Sequence, residues 1–144
     1  MPKMTFKAKA KSENPMKSVI ETSHFKMIVD EPERMGGTDD GATPMEYMLA
    51  ALAGCLNIVG HSVAQELGMN LKGLEINVEG DLNPARFMGQ PTEDRTGYQE
   101  VRVTLHPDTD ADQATLERWL ASLEERCPVS DNLANETPLK LSLS

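Results

Sequence analysis

Apolar and polar residues alternate from the start of the chain. Met4, Phe6, Ala8 and Ala10 stand between Thr5, Lys7, Lys9 and Lys11, the two-residue period of a half-buried strand. Ser12-Glu13-Asn14-Pro15 is turn chemistry. Two further runs, Ser18-Val19-Ile20-Glu21 and His24 to Val29, predict a second and third antiparallel strand. From Glu31 to Gly41 the chain is charged and carries Gly36, Gly37 and Gly41, so it reads as an exposed loop.

The period then changes from two to between three and four. Met45, Met48, Leu49, Leu52, Leu56, Val59, Val63 and Leu67 form one apolar stripe, which predicts a buried central helix. Thr43-Pro44-Met45-Glu46 supplies its start: an N-cap threonine, proline in the first turn and glutamate three residues after the threonine. Gly68 supplies a stop. Ala50, Ala51, Ala53 and Gly54 lie mid-helix and predict a close-packed neighbour there. Two alternating strands follow, Leu74 to Gly80 and Val101 to Leu105, around a proline- and glycine-containing loop at Asn83 to Gly97. Asp112 is placed to cap a second helix whose buried face holds Leu116, Trp119, Leu120 and Leu123. Cys127-Pro128 ends it. A helical turn over Ser130 to Leu133 and a last strand, Leu139 to Leu143, complete a single α+β domain spanning residues 1–144.

Composition narrows the function. The chain has 144 residues, 39% of them hydrophobic, enough for one core. A net charge of −9, from 14 basic and 23 acidic side chains, argues against nucleic acid or an anionic membrane as the main partner, since either requires a basic face. The longest low-charge stretch is interrupted by Glu46 and falls short of a membrane span, and Met1-Pro2-Lys3 does not open a secretory leader. The expectation is a soluble cytoplasmic protein. Two cysteines are too few for a disulfide scaffold, which makes their purpose the main chemical question.

Cys55 falls within the long helix, on or beside the apolar stripe, where a cysteine commonly serves as a small buried hydrophobe. Cys127 stands between two helical segments with Pro128 behind it. A helix N-terminus would stabilise its thiolate, whereas burial would oppose it. The two are far apart in sequence and lack the C-x-x-C spacing, so any redox pairing must be tertiary. His24, His61 and His106 show no zinc-ligand spacing with either cysteine. Glu46 reads first as the capping-box glutamate, about 13.5 Å along the helix from Cys55 and on its opposite side.

Two stretches carry a family resemblance. Gly41-Ala42-Thr43-Pro44-Met45-Glu46-Tyr47-Met48-Leu49-Ala50-Ala51-Leu52-Ala53-Gly54-Cys55 resembles the helix motif of the OsmC/Ohr family of osmotically inducible and organic hydroperoxide resistance proteins. Glu125-Arg126-Cys127-Pro128-Val129-Ser130-Asp131-Asn132-Leu133 resembles the family's C-terminal cysteine motif. Gly80-Asp81-Leu82 and Arg95-Thr96-Gly97-Tyr98 follow the pattern between them. The resemblance implies an OsmC-like fold with antiparallel sheets and a long central helix in an intertwined homodimer. It also implies active sites at the subunit interface, with two cysteines facing one another across it. Cys55 would be the peroxidatic thiolate that cleaves the O–O bond of an organic hydroperoxide and becomes a sulfenic acid. Cys127 would resolve it as a disulfide, reopened by a lipoamide-like or thioredoxin-like dithiol, with no cofactor or metal.

The sequence departs from the resistance enzymes at their activating groups. The first strand turn, Lys11 to Ser18, contains Lys11 and Lys17 but no arginine, and the position of the activating glutamate is held by Met45. Glu46, Lys17 and Arg95 are the supporting candidates, although lysine lacks arginine's bidentate fork. The chain therefore resembles the general OsmC-like branch. The alternative to a peroxidase is a non-enzymatic dimer of this fold that binds a small hydrophobic ligand or senses oxidation.

Overall fold

A computed structural model describes residues 1–144. The chain forms two compact units, Met1–Met48 and Leu49–Ser144.

The first unit holds three antiparallel strands in the order β1-β2-β3: β1 (Lys9–Ser12), β2 (Ser18–Glu21) and β3 (Lys26–Val29). The β1–β2 turn is closed by Asn14, whose Oδ1 accepts from the amides of Met16 and Lys17 at 2.9 and 2.8 Å. The alternation predicted from Met4 becomes strand only at Lys9. Lys9 pairs with Glu21, and β2 ends there, so Met4 to Ala8 have no ladder partner and lie exposed. The loop after β3 contains a 3₁₀ turn at Glu33–Met35 and is organised by Asp30, which is fully buried. Its carboxylate accepts from the Thr38 hydroxyl at 2.7 Å and from the amides of Glu31, Thr38 and Asp40. These bonds, the Thr38 hydroxyl first, lower the Asp30 pKa to about 2. Gly37 and Gly41 permit the folded-back path, since a Cβ on either would fall within 2.2 Å of the Glu31 or Ile28 carbonyl oxygen.

The long helix, α1 (Pro44–Glu66), starts where the capping residues predict. The Thr43 amide donates to Glu46 Oε1 at 3.0 Å and the Glu46 amide donates to Thr43 Oγ1 at 3.2 Å, a reciprocal capping box. α1 is long and apolar enough by length and composition to cross a membrane, contrary to the shorter low-charge stretch expected from sequence. In the fold it contributes core contacts instead.

In the second unit α1 shares a core with β4 (Gly73–Asp81), β5 (Glu100–Asp108) and α2 (Gln113–Arg126), while α3 (Pro128–Ala134) follows α2 directly. β4 and β5 pair antiparallel along their full lengths, from Gly73↔Asp108 to Asp81↔Glu100. Leu74, Ile76 and Val78 pack toward the buried Leu52, Leu56, Val63, Ala64, Met69, Trp119 and Leu123. On the outer face Arg102 bonds Glu79, Asp81 and Glu100. Asp112 caps α2 as predicted, accepting from the Thr115 amide at 2.8 Å.

Three expectations change. α1 is buried on one side only: Ala50, Ala51, Gly54 and Ile58 are exposed, and the close approach predicted around Gly54 occurs at Gly60. A Cβ at Gly60 would lie 3.1 Å from Leu74 and 3.2 Å from the Trp119 ring. Leu120, predicted on the buried face of α2, is exposed, while Trp119 and Leu123 are buried. Leu139 to Leu143 alternates like a strand but pairs with neither sheet. Alternation makes a strand only where another edge accepts its hydrogen bonds.

Candidate functional site

The two cysteines are brought together within one chain of the second unit. Cys55, on α1, is half-buried and packs against the hydrophobic cluster that contains Cys127. Cys55 is an electrostatic neighbour of Cys127, and both are free thiols.

Cys127 is fixed from both directions. Its amide ends α2 by donating to Leu123 O at 3.1 Å, and its carbonyl begins α3 by accepting from the Asp131 amide at 3.0 Å. Its Sγ caps α3, accepting from the Ser130 amide at 3.4 Å, with Pro128 in the first turn. The sequence left N-terminal stabilisation and desolvation in competition here. Burial wins: it pushes the Cys127 thiol up, the Ser130 amide opposes it less strongly, and the adjoining Cys55 sulfur raises it further. Burial therefore favours the protonated form of Cys127, and Cys55 is the more exposed of the two sulfurs.

Two contacts hold α2 against α1 near the pair. The Trp119 indole donates to Gly60 O at 2.8 Å. At the helix ends, the Arg126 guanidinium grips both Glu66 carboxylate oxygens at 2.7 and 3.0 Å. The Gly60 approach was hidden in the sequence, although Leu56, Gly60 and Val63 do step along the buried stripe at helical spacing.

Two of the three supporting candidates, Lys17 and Glu46, are engaged elsewhere. Lys17, in the first unit, bonds Asp40 at 2.7 Å and Glu13 at 3.2 Å, and these carboxylates raise its pKa, Asp40 first. Glu46, also in the first unit, is held below the usual carboxylate range mainly by the Thr43 amide of the capping box. Arg95 lies exposed on the loop between β4 and β5. That loop is organised instead by Asn83, which bonds Asp94 at 2.9 Å, and by Arg86, which donates to the carbonyls of Thr92 and Asp94. Sequence reasoning missed Asp30, because a lone aspartate after a strand has no periodic signal.

Known proteins are similar to this chain in sequence or in fold. A Bacillus subtilis protein, the uncharacterised YmaD, is 24% identical over 125 residues, covering 87% of this chain and 82% of its own. The crystal structure of an OsmC-like protein from Mycoplasma pneumoniae superposes with a TM-score of 0.79 at 17% identity, covering 91% of this chain and 88% of that one. An organic hydroperoxide resistance protein OsmC from Legionella pneumophila superposes at 0.66 with 23% identity, covering 92% and 91%. Residues 37–142, which include both cysteine motifs, match the family profile of OsmC-like proteins. With its antiparallel sheets, its long cysteine-bearing helix and a profile match over most of its length, the chain belongs to the OsmC-like protein family.

Proposed function

We propose that this protein is a cytoplasmic, cofactor-free thiol peroxidase that reduces organic hydroperoxides, residues 1–144 working as one OsmC-like domain. The observation that carries the reading is that the half-buried Cys55 is an electrostatic neighbour of the buried Cys127, whose Sγ accepts from the Ser130 amide. The Legionella relative's description as an organic hydroperoxide resistance protein supports it at the level of the family. In the first step the Cys55 thiolate attacks one peroxide oxygen, the O–O bond breaks, and the alkoxide leaves as the alcohol with a proton taken from solvent. Cys55 is now a sulfenic acid. The Cys127 sulfur attacks the Cys55 sulfur, the S–S bond forms, and the sulfenic oxygen departs as water. An external dithiol, lipoamide-like or thioredoxin-like, then reduces the disulfide and becomes oxidised itself.

The working form is a homodimer. In a single chain the apolar face of α1 made by Ala50, Ala51, Gly54 and Ile58 meets solvent, with Ile58 71% exposed, and small residues of this kind favour close helix contact. Sedimentation as a monomer at micromolar concentration would refute the dimer.

Steady-state consumption of cumene hydroperoxide with a dithiol tests the activity. Turnover is expected, and its absence across several reductants would overturn the peroxidase. One observation favours a second reading: Lys17 and Glu46, the activating candidates, are occupied in ion pairs and a helix cap. In that case the fold binds a small hydrophobic ligand or senses oxidation, and oxidation of the pair would occur without catalytic turnover.

A further inference from the structure

Glu66 is the last residue of α1, whose final turn holds no basic side chain. A carboxylate there faces the negative end of its own helix, a locally unfavourable place. Compensation comes from 60 residues away. Arg126, in the last turn of α2, meets both Glu66 carboxylate oxygens at 2.7 and 3.0 Å. The ion pairs of Arg102, by contrast, lie on the β4–β5 ladder, which already joins its strands. No ladder joins α1 to α2; their polar ties are the Trp119–Gly60 bond and the Arg126–Glu66 pair.

Arg126 directly precedes Cys127, whose amide continues the α2 ladder to Leu123 O at 3.1 Å. A shift at Arg126 therefore reaches the Cys127 backbone through one planar peptide unit. Both side chains of the ion pair are about half exposed, so the pair adds little to overall stability. Its two parallel bonds nevertheless fix direction as well as distance. Cys127 and Cys55 belong to the same apolar cluster, and a disulfide between them requires Cα atoms within about 7 Å and sulfurs aimed at each other.

We propose that Arg126 and Glu66 are positioning residues for the resolving cysteine: their ion pair sets how readily the Cys127 sulfur reaches the Cys55 sulfur. The assignment rests on the reading of Cys55 and Cys127 as a redox pair, and gives neither Arg126 nor Glu66 a contact with substrate. Where resolution is slow, a Cys55 sulfenic acid persists and is oxidised further.

Glutathione exchange tests this without a hydroperoxide. Two protein thiols and one oxidised glutathione yield the protein disulfide and two reduced glutathiones, so the equilibrium measures the effective concentration of Cys127 at Cys55. The full chain is compared with Glu66→Gln, Arg126→Gln, Arg126→Lys and the charge-exchanged double variant Glu66→Arg, Arg126→Glu. The Cys55–Cys127 disulfide is quantified by alkylation and mass spectrometry, and the stability of each reduced variant by its urea midpoint. We expect an effective concentration about tenfold lower in each glutamine variant, since small misplacements are costly in intramolecular reactions. The lysine variant, which keeps the charge and loses the fork, should fall between, and the charge-exchanged variant should recover most of the loss. Unchanged effective concentrations in the glutamine variants, with or without a lowered urea midpoint, would overturn the proposal. So would a charge-exchanged variant as impaired as the single ones, or a wild type that forms no Cys55–Cys127 disulfide in the buffer. Should the glutamine variants fail to fold, Arg126→Lys decides: a lowered effective concentration supports the proposal and an unchanged one overturns it. A disulfide that responds to the ion pair, in a protein that turns over no hydroperoxide, upholds the positioning role and rejects only the peroxidase.

Discussion

The indole N–H of Trp119 donates to the backbone carbonyl of Gly60, 2.8 Å away and 59 residues earlier in the chain. This bond brings α2 against the middle of α1, where the missing side chain of Gly60 makes room for the ring. Cys127, at the end of α2, is thereby held near Cys55, one and a half turns before Gly60 on α1. The packing of an aromatic residue thus helps position the helix that carries Cys127.

Trp119→Phe keeps most of the ring and removes the donor. We expect a loss of about 1 kcal/mol, read as a lower midpoint in urea with an unchanged slope. Gly60→Ala gains about 1 kcal/mol of helix propensity but crowds Leu74 and Trp119, a cost of about 1–3 kcal/mol. The net should lie between neutral and about 2 kcal/mol destabilising. A clearly stabilised Gly60→Ala would mean that the α1–α2 contact is looser than the structure has it.

Cys55→Ser should abolish hydroperoxide reduction, because no nucleophilic sulfur remains at the exposed position. Cys127→Ser should permit one turnover and then accumulate sulfinic and sulfonic acid on Cys55, since nothing traps the sulfenic acid. Intact-mass spectrometry after peroxide treatment distinguishes the two. A wild-type protein that forms no Cys55–Cys127 disulfide under the same treatment would contradict the resolving step.

Glu46→Gln separates capping from activation. The glutamine Oε1 can still accept from the Thr43 amide, so a purely capping Glu46 leaves stability and hydroperoxide kinetics close to wild type. Thr43→Ala, which removes the reciprocal partner, should cost about 1 kcal/mol with Cys55 alkylation unchanged. A drop in peroxide rate of tenfold or more in Glu46→Gln, with stability retained, would return Glu46 to the catalytic machinery.

Acid should unfold the first unit through Asp30. Its carboxyl titrates near 2 in the folded chain against about 3.9 when unfolded. The folded pKa is depressed, so the stabilisation is fully present above about pH 4 and is lost as pH falls toward 2. Asp30→Asn should lower thermal stability at neutral pH and flatten the decline between pH 4 and 2. Parallel wild-type and variant curves across that interval would remove Asp30 as the source of the acid sensitivity.

Local chemistry was readable where one segment satisfies its own needs. Thr43, Pro44 and Glu46 start α1, and Asp112 starts α2, because a cap bonds amides only three residues away. Asn14 closes the first turn for the same reason. Leu74, Ile76 and Val78 announce β4 by alternating with Glu75, Asn77 and Glu79. The same rule overreached at Met4 to Ala8 and at Leu139 to Leu143, where an identical pattern finds no neighbouring strand. Periodicity states which face a segment can bury, while pairing depends on where another segment stops. β2 stops at Glu21, opposite Lys9.

Spacing along the chain thus established the elements, their caps and the two cysteine motifs, all of which depend on short-range hydrogen bonds and on helix or strand period. It left open how deeply Cys55 and Cys127 are buried, whether desolvation or the helix N-terminus governs the Cys127 thiol, and what Lys17 and Glu46 do. Those answers required packing. Burial pushes the Cys127 thiol up, Trp119 and Gly60 bring the helices together, and Asp40, Glu13 and Thr43 engage Lys17 and Glu46. Desolvation and distance are properties of the folded interior, where residues far apart in sequence become each other's solvent.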